Sequence, residues 1–465
     1  MIASPPHLAV TPELFAIPSK DHCILYAPLK GVALLANRAA AQWLARYQTD
    51  PDPLVQTPLY QQFADAGILE VAGTTRLPDL SPKAPYEPTD VILLTTTSCN
   101  LRCVYCYASA GTRTIPFRPE VARAAIRLAI SNAIAQGKTV SHLAFHGGGE
   151  PTMALPFIKN CVAYAHEQAG NRVKVLTSIV TNGYLNQRQA EWLAKNVQSI
   201  QVSLDGPASI HDEQRPLQNG HSSFERVRTT IRYLEQEGVP DLLVKATIAQ
   251  QHVHDMPEIA RFLCENFAAR RFHLGPVLNN GRSLATGYSQ PTVEAFVQYA
   301  KQAQEVARSY NREVVVSLAQ TTFPKLRLAF CGLTDPNFAV SVEGKVTGCY
   351  EVIYADDPRA RHFHFGEYVP ESDSFSFSNE RMDALQGRIM PNLDRCKHCF
   401  ARWHCGGDCH IRMFDETTGD ESMSKLDFRC QVNRALVREE LLKVVASHGQ
   451  IVRFEPTLTS EQGIR

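Results

Sequence analysis

The chain has 465 residues, 44% hydrophobic and 20% charged, with 47 basic and 47 acidic side chains and a formal net charge of zero. That length exceeds one ordinary hydrophobic core and implies roughly two to four domains. The charge balance excludes a field that would steer the protein toward nucleic acid or an anionic membrane, and no uncharged apolar run approaches the ~18 residues that span a bilayer.

Residues 1–85 read as a separate unit. Its first residues, Met1 to His7, have neither the basic start nor the apolar core of a signal peptide. Segments 22–28 and 31–36 read as two short strands around a Pro/Gly turn. Asn37 is placed to cap a helix through Arg46, with Ala40, Trp43 and Leu44 on its apolar face. A second helix runs from Thr57, with Pro58 in its first turn, to Ala66; Gly67 ends it and 68–71 follow as a strand. Strand–strand–helix–helix–strand is a winged-helix-like order. The stretch 77–87, with three prolines, reads as a linker.

From Asp90 strands alternate with helices. Strands are expected at 91–95, 142–145, 173–180, 200–204, 242–247 and 271–275. Helices fall between them, such as 119–136 stopped by Gly137 and 223–237 stopped by Gly238, and a last helix spans 291–310. Six such units predict an α/β fold with a parallel sheet, either open or closed into a partial barrel. Chemistry in these folds collects at the C-terminal ends of strands. Beyond about residue 314 the alternation stops and cysteines become dense. The expected units are 1–85, 88–312, 313–445 and a tail at 446–465.

Thirteen cysteines, an odd number in close spacings, argue for metal rather than disulfides and for a reducing compartment, the cytoplasm. Cys99, Cys103 and Cys106 form a C-x3-C-x2-C loop directly after the first barrel strand. Three thiolates on a cubane iron–sulfur cluster leave one iron open to a small chelator with an amine and a carboxylate. A zinc loop is the plain alternative, but it wants a fourth ligand and none lies nearby in sequence.

This loop and the strand ends after it resemble the radical S-adenosylmethionine (SAM) enzymes over roughly residues 88–310. The resemblance implies a partial (β/α)6 barrel and reductive cleavage of SAM to a 5′-deoxyadenosyl radical. It implies that Gly148, Gly149 and Glu150 hold the methionyl amino group. Asn182 stands at the third strand end. Ser203 and Arg215 are implied to hold the SAM carboxylate, Asp205 to lie near the ribose, and Tyr105 to lie against adenine. Arginine suits a carboxylate through its planar fork of donors. Read without the resemblance, the glycine run is a tight turn, Tyr105 packs a loop, and Asp205 and Asp212 are turn and cap residues.

A second array comprises Cys331, Cys349, Cys396, Cys399, Cys405, Cys409 and Cys430, with Gly344 five residues before Cys349. It resembles the SPASM extension, which implies two auxiliary [4Fe–4S] clusters and three in all. By that resemblance Cys396, Cys399, Cys405 and Cys430 bind the farther cluster, and Cys331, Cys349 and Cys409 the nearer. The eighth cysteine of many relatives is missing from 325–330, which leaves an iron for a substrate group or Glu351. Zinc in C-x2-C pairs, helped by His410, is the alternative. Cys23, Cys161 and Cys264 read as small core residues.

The resemblance implies an oxidative peptide maturase that forms a thioether, carbon–carbon or carbon–oxygen crosslink in a ribosomal precursor peptide. A flavodoxin or ferredoxin would supply electrons. Glu351, Asp408 and His410 are candidate bases, with a second-sphere hydrogen-bonding role as the alternative. The N-terminal unit looks like the peptide-recognition domains of such enzymes, which capture a leader as an added strand. A sulfatase-maturase type is the rival, weakened because Tyr350 stands where that group has aspartate after the G-x4-C cysteine. A non-catalytic zinc or iron–sulfur scaffold is the rival from another class.

Overall fold

A computed structural model describes residues 8–51, 55, 57–76, 86–316, 323, 325–332, 337–422, 427–448 and 451–458. Most of the expected linker lies outside the described residues. The N-terminal unit carries strands β1 (Ala9–Val10), β2 (Phe15–Ser19), β3 (His22–Ala27), β4 (Val32–Asn37) and β5 (Leu69–Glu70). Strands β2, β3 and β4 form an antiparallel meander, and β1 pairs with β5. Asn37 caps the helix Arg38–Thr49, its side chain accepting from the Ala40 amide at 2.8 Å. That helix and Pro58–Ala66 pack Trp43, Leu44, Tyr47 and Phe63 onto Leu25 and Leu34, one face of the meander.

The central sheet begins with β6 (Val91–Leu94), β7 (Val140–His146), β8 (Lys174–Thr181), β9 (Ser199–Ser203), β10 (Asp241–Ile248), β11 (Arg271–Pro276) and β12 (Glu313–Val316), all parallel in sequence order. Helices such as Pro119–Ala135, Leu155–Ala169 and Met256–Asn266 cover it with apolar stripes. β12 runs past the expected boundary at 312/313 and pairs parallel with β11 as a seventh strand of the sheet. Four residues after a long helix gave too little pattern to declare it.

After β13 (Lys325–Leu326), strands β14 (Ala339–Val340), β15 (Lys345–Thr347), β16 (His364–Val369) and β17 (Ser374–Phe377) continue the same sheet. β14 lies parallel beside β6, and the rest run antiparallel. The cluster-type extension is therefore hydrogen-bonded to the first barrel strand, beside the C-x3-C-x2-C loop.

The helix Asp427–His448 returns to the N-terminal unit, where Val437, Leu441 and Val445 meet Ile17, Ile24 and Tyr26 on the meander's other face. Strand β18 (Ile451–Arg453) then adds antiparallel to β4, and β19 (Thr457–Leu458) pairs with β13. The expected tail at 446–465 is thus structural over its described part. Gly31 allows this closure, since a Cβ there would sit 1.8 Å from the Phe454 carbonyl oxygen. Among the described residues no helix is long and apolar enough to cross a membrane.

Candidate active site

The C-terminal ends of β6 to β11 open into a cavity of about 760 Å³ that reaches the second cysteine array. Cys99, Cys103, Tyr105, Cys106, Gly148, Gly149, Glu150, Asn182, Ser203 and Arg215 all line it. The cysteine loop is held from three sides. The Arg102 and Val104 amides donate to Pro216 and Gln214 carbonyls. The Arg282 side chain donates to the carbonyls of Cys103 and Ala110, and its amide to that of Cys106. The Gly149 amide donates to Thr96 at 2.9 Å and the Glu150 amide to Ser98 at 2.8 Å.

The glycine run therefore serves close backbone packing as well as cavity access. A Cβ on Gly149 would stand 2.0 Å from the Ser98 oxygen. Glu150 is 2% exposed and its carboxylate is fully engaged. It accepts from the Thr152 amide and hydroxyl, the Thr181 hydroxyl and the Asn182 amide. Burial raises its pKa against those donors. Asn182 donates to Asn100 at 2.8 Å and approaches Cys99 Sγ at 3.9 Å, so the third strand end also shapes the loop.

Tyr105 joins two charges. Its hydroxyl donates to Asp205 Oδ2 at 2.5 Å and accepts from Arg215 Nη1 at 2.6 Å. Asp205 is 0% exposed and does not line the cavity. Its other oxygen accepts from the Thr247 amide, and Gln214 donates to Oδ2. Asp205 thus works through Tyr105, a turn-type role that the sequence left open. Asp212 caps the helix Phe224–Gln236, accepting from the Ser223 and Phe224 amides.

The cysteines fit iron–sulfur groups. The thiols are grouped around cavities, where several thiolates can share one cluster. Cys396, Cys399, Cys405 and Cys430 surround one of about 380 Å³ with Asn433, whose amide donates to Cys405 Sγ at 3.2 Å. Cys409 faces the main cavity, and Cys349 lies close enough to feel the charge of both Cys409 and Cys331. Burial pushes the Cys99 thiol up to about 11 and Cys103 up to about 12. Such thiols ionise readily only beside a metal cation.

The three candidate bases separate. Glu351 lines the cavity but is ion-paired with Arg412. Asp408 is buried behind the wall and bound at 2.6 Å by Arg429. His410 is also buried, with neither ring nitrogen partnered, and does not face the cavity. Sequence reasoning missed Lys245, Arg282, Arg412 and Arg429. Lone cations in strands and loops carry no spacing signal, and only their place at the strand ends reveals them.

This fold and site define a radical SAM domain. Residues 93–263 match the model of the Radical SAM superfamily, a family that implies SAM and a [4Fe–4S] cluster. The chain is similar to the Fe-coproporphyrin III synthase of Methanosarcina barkeri, 27% identical over 347 residues, 68% of this chain and 82% of that protein. It is also similar to the sporulation killing factor maturation protein SkfB of Bacillus subtilis, 30% identical over 202 residues, 43% and 45% of the two chains. The solved structure of native anSMEcpe with bound AdoMet shares the fold, with a TM-score of 0.60 at 16% identity over 78% of this chain and all of that one.

Proposed function

We propose that the chain oxidatively crosslinks a ribosomally made precursor peptide, using SAM at the Cys99–Cys103–Cys106 loop and two auxiliary clusters on the second array. The observation that carries this reading is the build of the N-terminal unit, a winged-helix-like meander wedged between its own helices and the helix that carries Cys430. A peptide bound there is tethered beside the cavity, which raises the local concentration of its reactive segment. Edge strand β4 is covered by β18, so an added leader strand would pair with β2. The likeness to SkfB supports a peptide substrate.

Bound SAM and cluster would supply hydrogen abstraction from an unactivated carbon. The chain's own part is to exclude water, orient the target, and carry away a proton; Glu351 is the candidate base that faces the cavity. Tyr350 lies tilted against His146, with ring centroids 5.1 Å apart, so the position after Cys349 offers a ring and no carboxylate to a sulfatase-type reaction.

Anaerobically reconstituted protein is expected to hold about twelve irons and as many sulfides. About four would remove the auxiliary clusters and the oxidative reading with them. Co-expression with the peptide of a neighbouring short open reading frame should then give a product lighter by a pair of hydrogens.

A further inference from the structure

Lys245 projects from β10 into the cavity wall, half-buried, and makes no hydrogen bond or ion pair with any described residue. The strand register sets it beside Ser203 of β9 and His273 of β11, with Thr247 one step closer to the strand end. Its charged neighbours are committed elsewhere. Arg429 is bound to Asp408, Arg412 to Glu351, and Arg215 to Asp205 through Tyr105. Burial holds the Lys245 pKa below the ordinary value, and repulsion by Arg429 and Arg215 adds to that. Glu351 and Asp205 act in the opposite sense, but each is already engaged, with Arg412 and with Tyr105, so the half-buried ammonium has no carboxylate bound to it and is costly until an anion arrives.

SAM brings a single carboxylate, which the resemblance assigns to Ser203 and to the donors of Arg215 that its bond to Tyr105 leaves over. The cation next to them is left for a second one. We propose that Lys245 is the anchor for a carboxylate of the substrate, held inside the barrel at the level of Ser203. The substrate class is therefore a carboxylate-bearing one, such as a peptide with Asp, Glu or a free chain end at the reacting segment. This anchor deepens the proposed function and rests on it for the SAM site beside Lys245 and for a peptide substrate.

The test follows acylation of Lys245 by an amine reagent, read by mass spectrometry on the reconstituted, SAM-loaded chain. The probes are glutarate, acetyl-Gly-Glu-Gly-amide and acetyl-Gly-Gln-Gly-amide. Lys245 should react with SAM bound, and glutarate or the Glu peptide, at about ten times its dissociation constant, should slow it about tenfold. The Gln peptide should not. Full protection by SAM alone would assign the ammonium to the SAM carboxylate and overturn the proposal. Equal protection by the Glu and Gln peptides, or none by any probe, would overturn it too. Protection by glutarate but not by the Glu peptide would keep the anchor and remove the peptide reading. As a second readout, calorimetric glutarate binding should survive Lys245→Arg and vanish in Lys245→Met; binding retained by the Met variant would sink the assignment.

Discussion

The Tyr26 hydroxyl lies 2.6 Å from Nε2 of His404, joining the N-terminal sheet to the short helix that carries Cys405. Both residues are 0% exposed, and Phe323 closes edge-on over the imidazole at 4.4 Å. The N-terminal unit and the second cysteine array are therefore one packed body. Tyr26→Phe would leave a buried ring nitrogen without its partner, a loss of about 1–3 kcal/mol. Urea unfolding of the reconstituted protein should show an earlier midpoint. An unshifted midpoint would mean that the bond contributes nothing to the docking of the two units.

At the cavity, Tyr105 positions Arg215 through a hydrogen bond to a charged group, worth about 1.5–3 kcal/mol. Tyr105→Phe keeps the ring and removes only the hydroxyl. SAM affinity measured by equilibrium dialysis should fall about tenfold or more, the same energy expressed as binding. Unchanged affinity would show that Asp205 and Arg215 keep their places without the bridge.

How much of this was legible in the sequence depends on how local each feature is. The helix cap at Asn37, the six βα units and the cysteine loop are local, and periodicity and spacing expose them. Strand β12 and the return of β18 to β4 are not: β12 is only four residues long, and the partners of β18 lie hundreds of residues away, which leaves no pattern in so short a strand. The site residues divide the same way. Motif residues at strand ends line the cavity as read, whereas the burial of Asp205 behind Tyr105, and of Asp408 behind Arg429, depends on tertiary packing. For the same reason Lys245 became visible only when the register placed it beside Ser203.

His211 adds a pH dependence of stability. The Asp205 amide donates to Nδ1, which leaves Nε2–H to donate to Ser223, whose hydroxyl in turn donates to the Arg215 carbonyl. Burial lowers the imidazole pKa from 6.5 to about 3, so the folded protein holds it neutral. The unfolded chain takes up the proton first as pH falls, and folding is disfavoured by that uptake. The contribution is complete above 6.5 and drains away toward about 3. His211→Asn should flatten the fall in urea midpoint between neutral and mildly acid pH. A fall as steep as that of the parent chain would assign the effect to other groups.

The two glycines before Glu150 look equivalent in sequence and are not equivalent in space. A methyl on Gly148 would meet the end of the Ile353 side chain at 2.2 Å, a group that can turn aside. A methyl on Gly149 would meet backbone, the Ser98 oxygen at 2.0 Å and the Thr97 carbonyl carbon at 2.7 Å. Those atoms belong to the segment leading into Cys99, which is already tied down where Thr96 accepts from the Gly149 amide and Ser98 from the Glu150 amide. The substitution must therefore push the cysteine loop off its seat, while the second array, on a different part of the chain, is untouched. Gly149→Ala should lose about four irons of about twelve on reconstitution, and SAM binding with them. Gly148→Ala should keep its full iron content and lose SAM affinity at most modestly. Equal iron loss in both variants would show that the run acts only as a flexible turn and not as a packed contact with the cysteine loop.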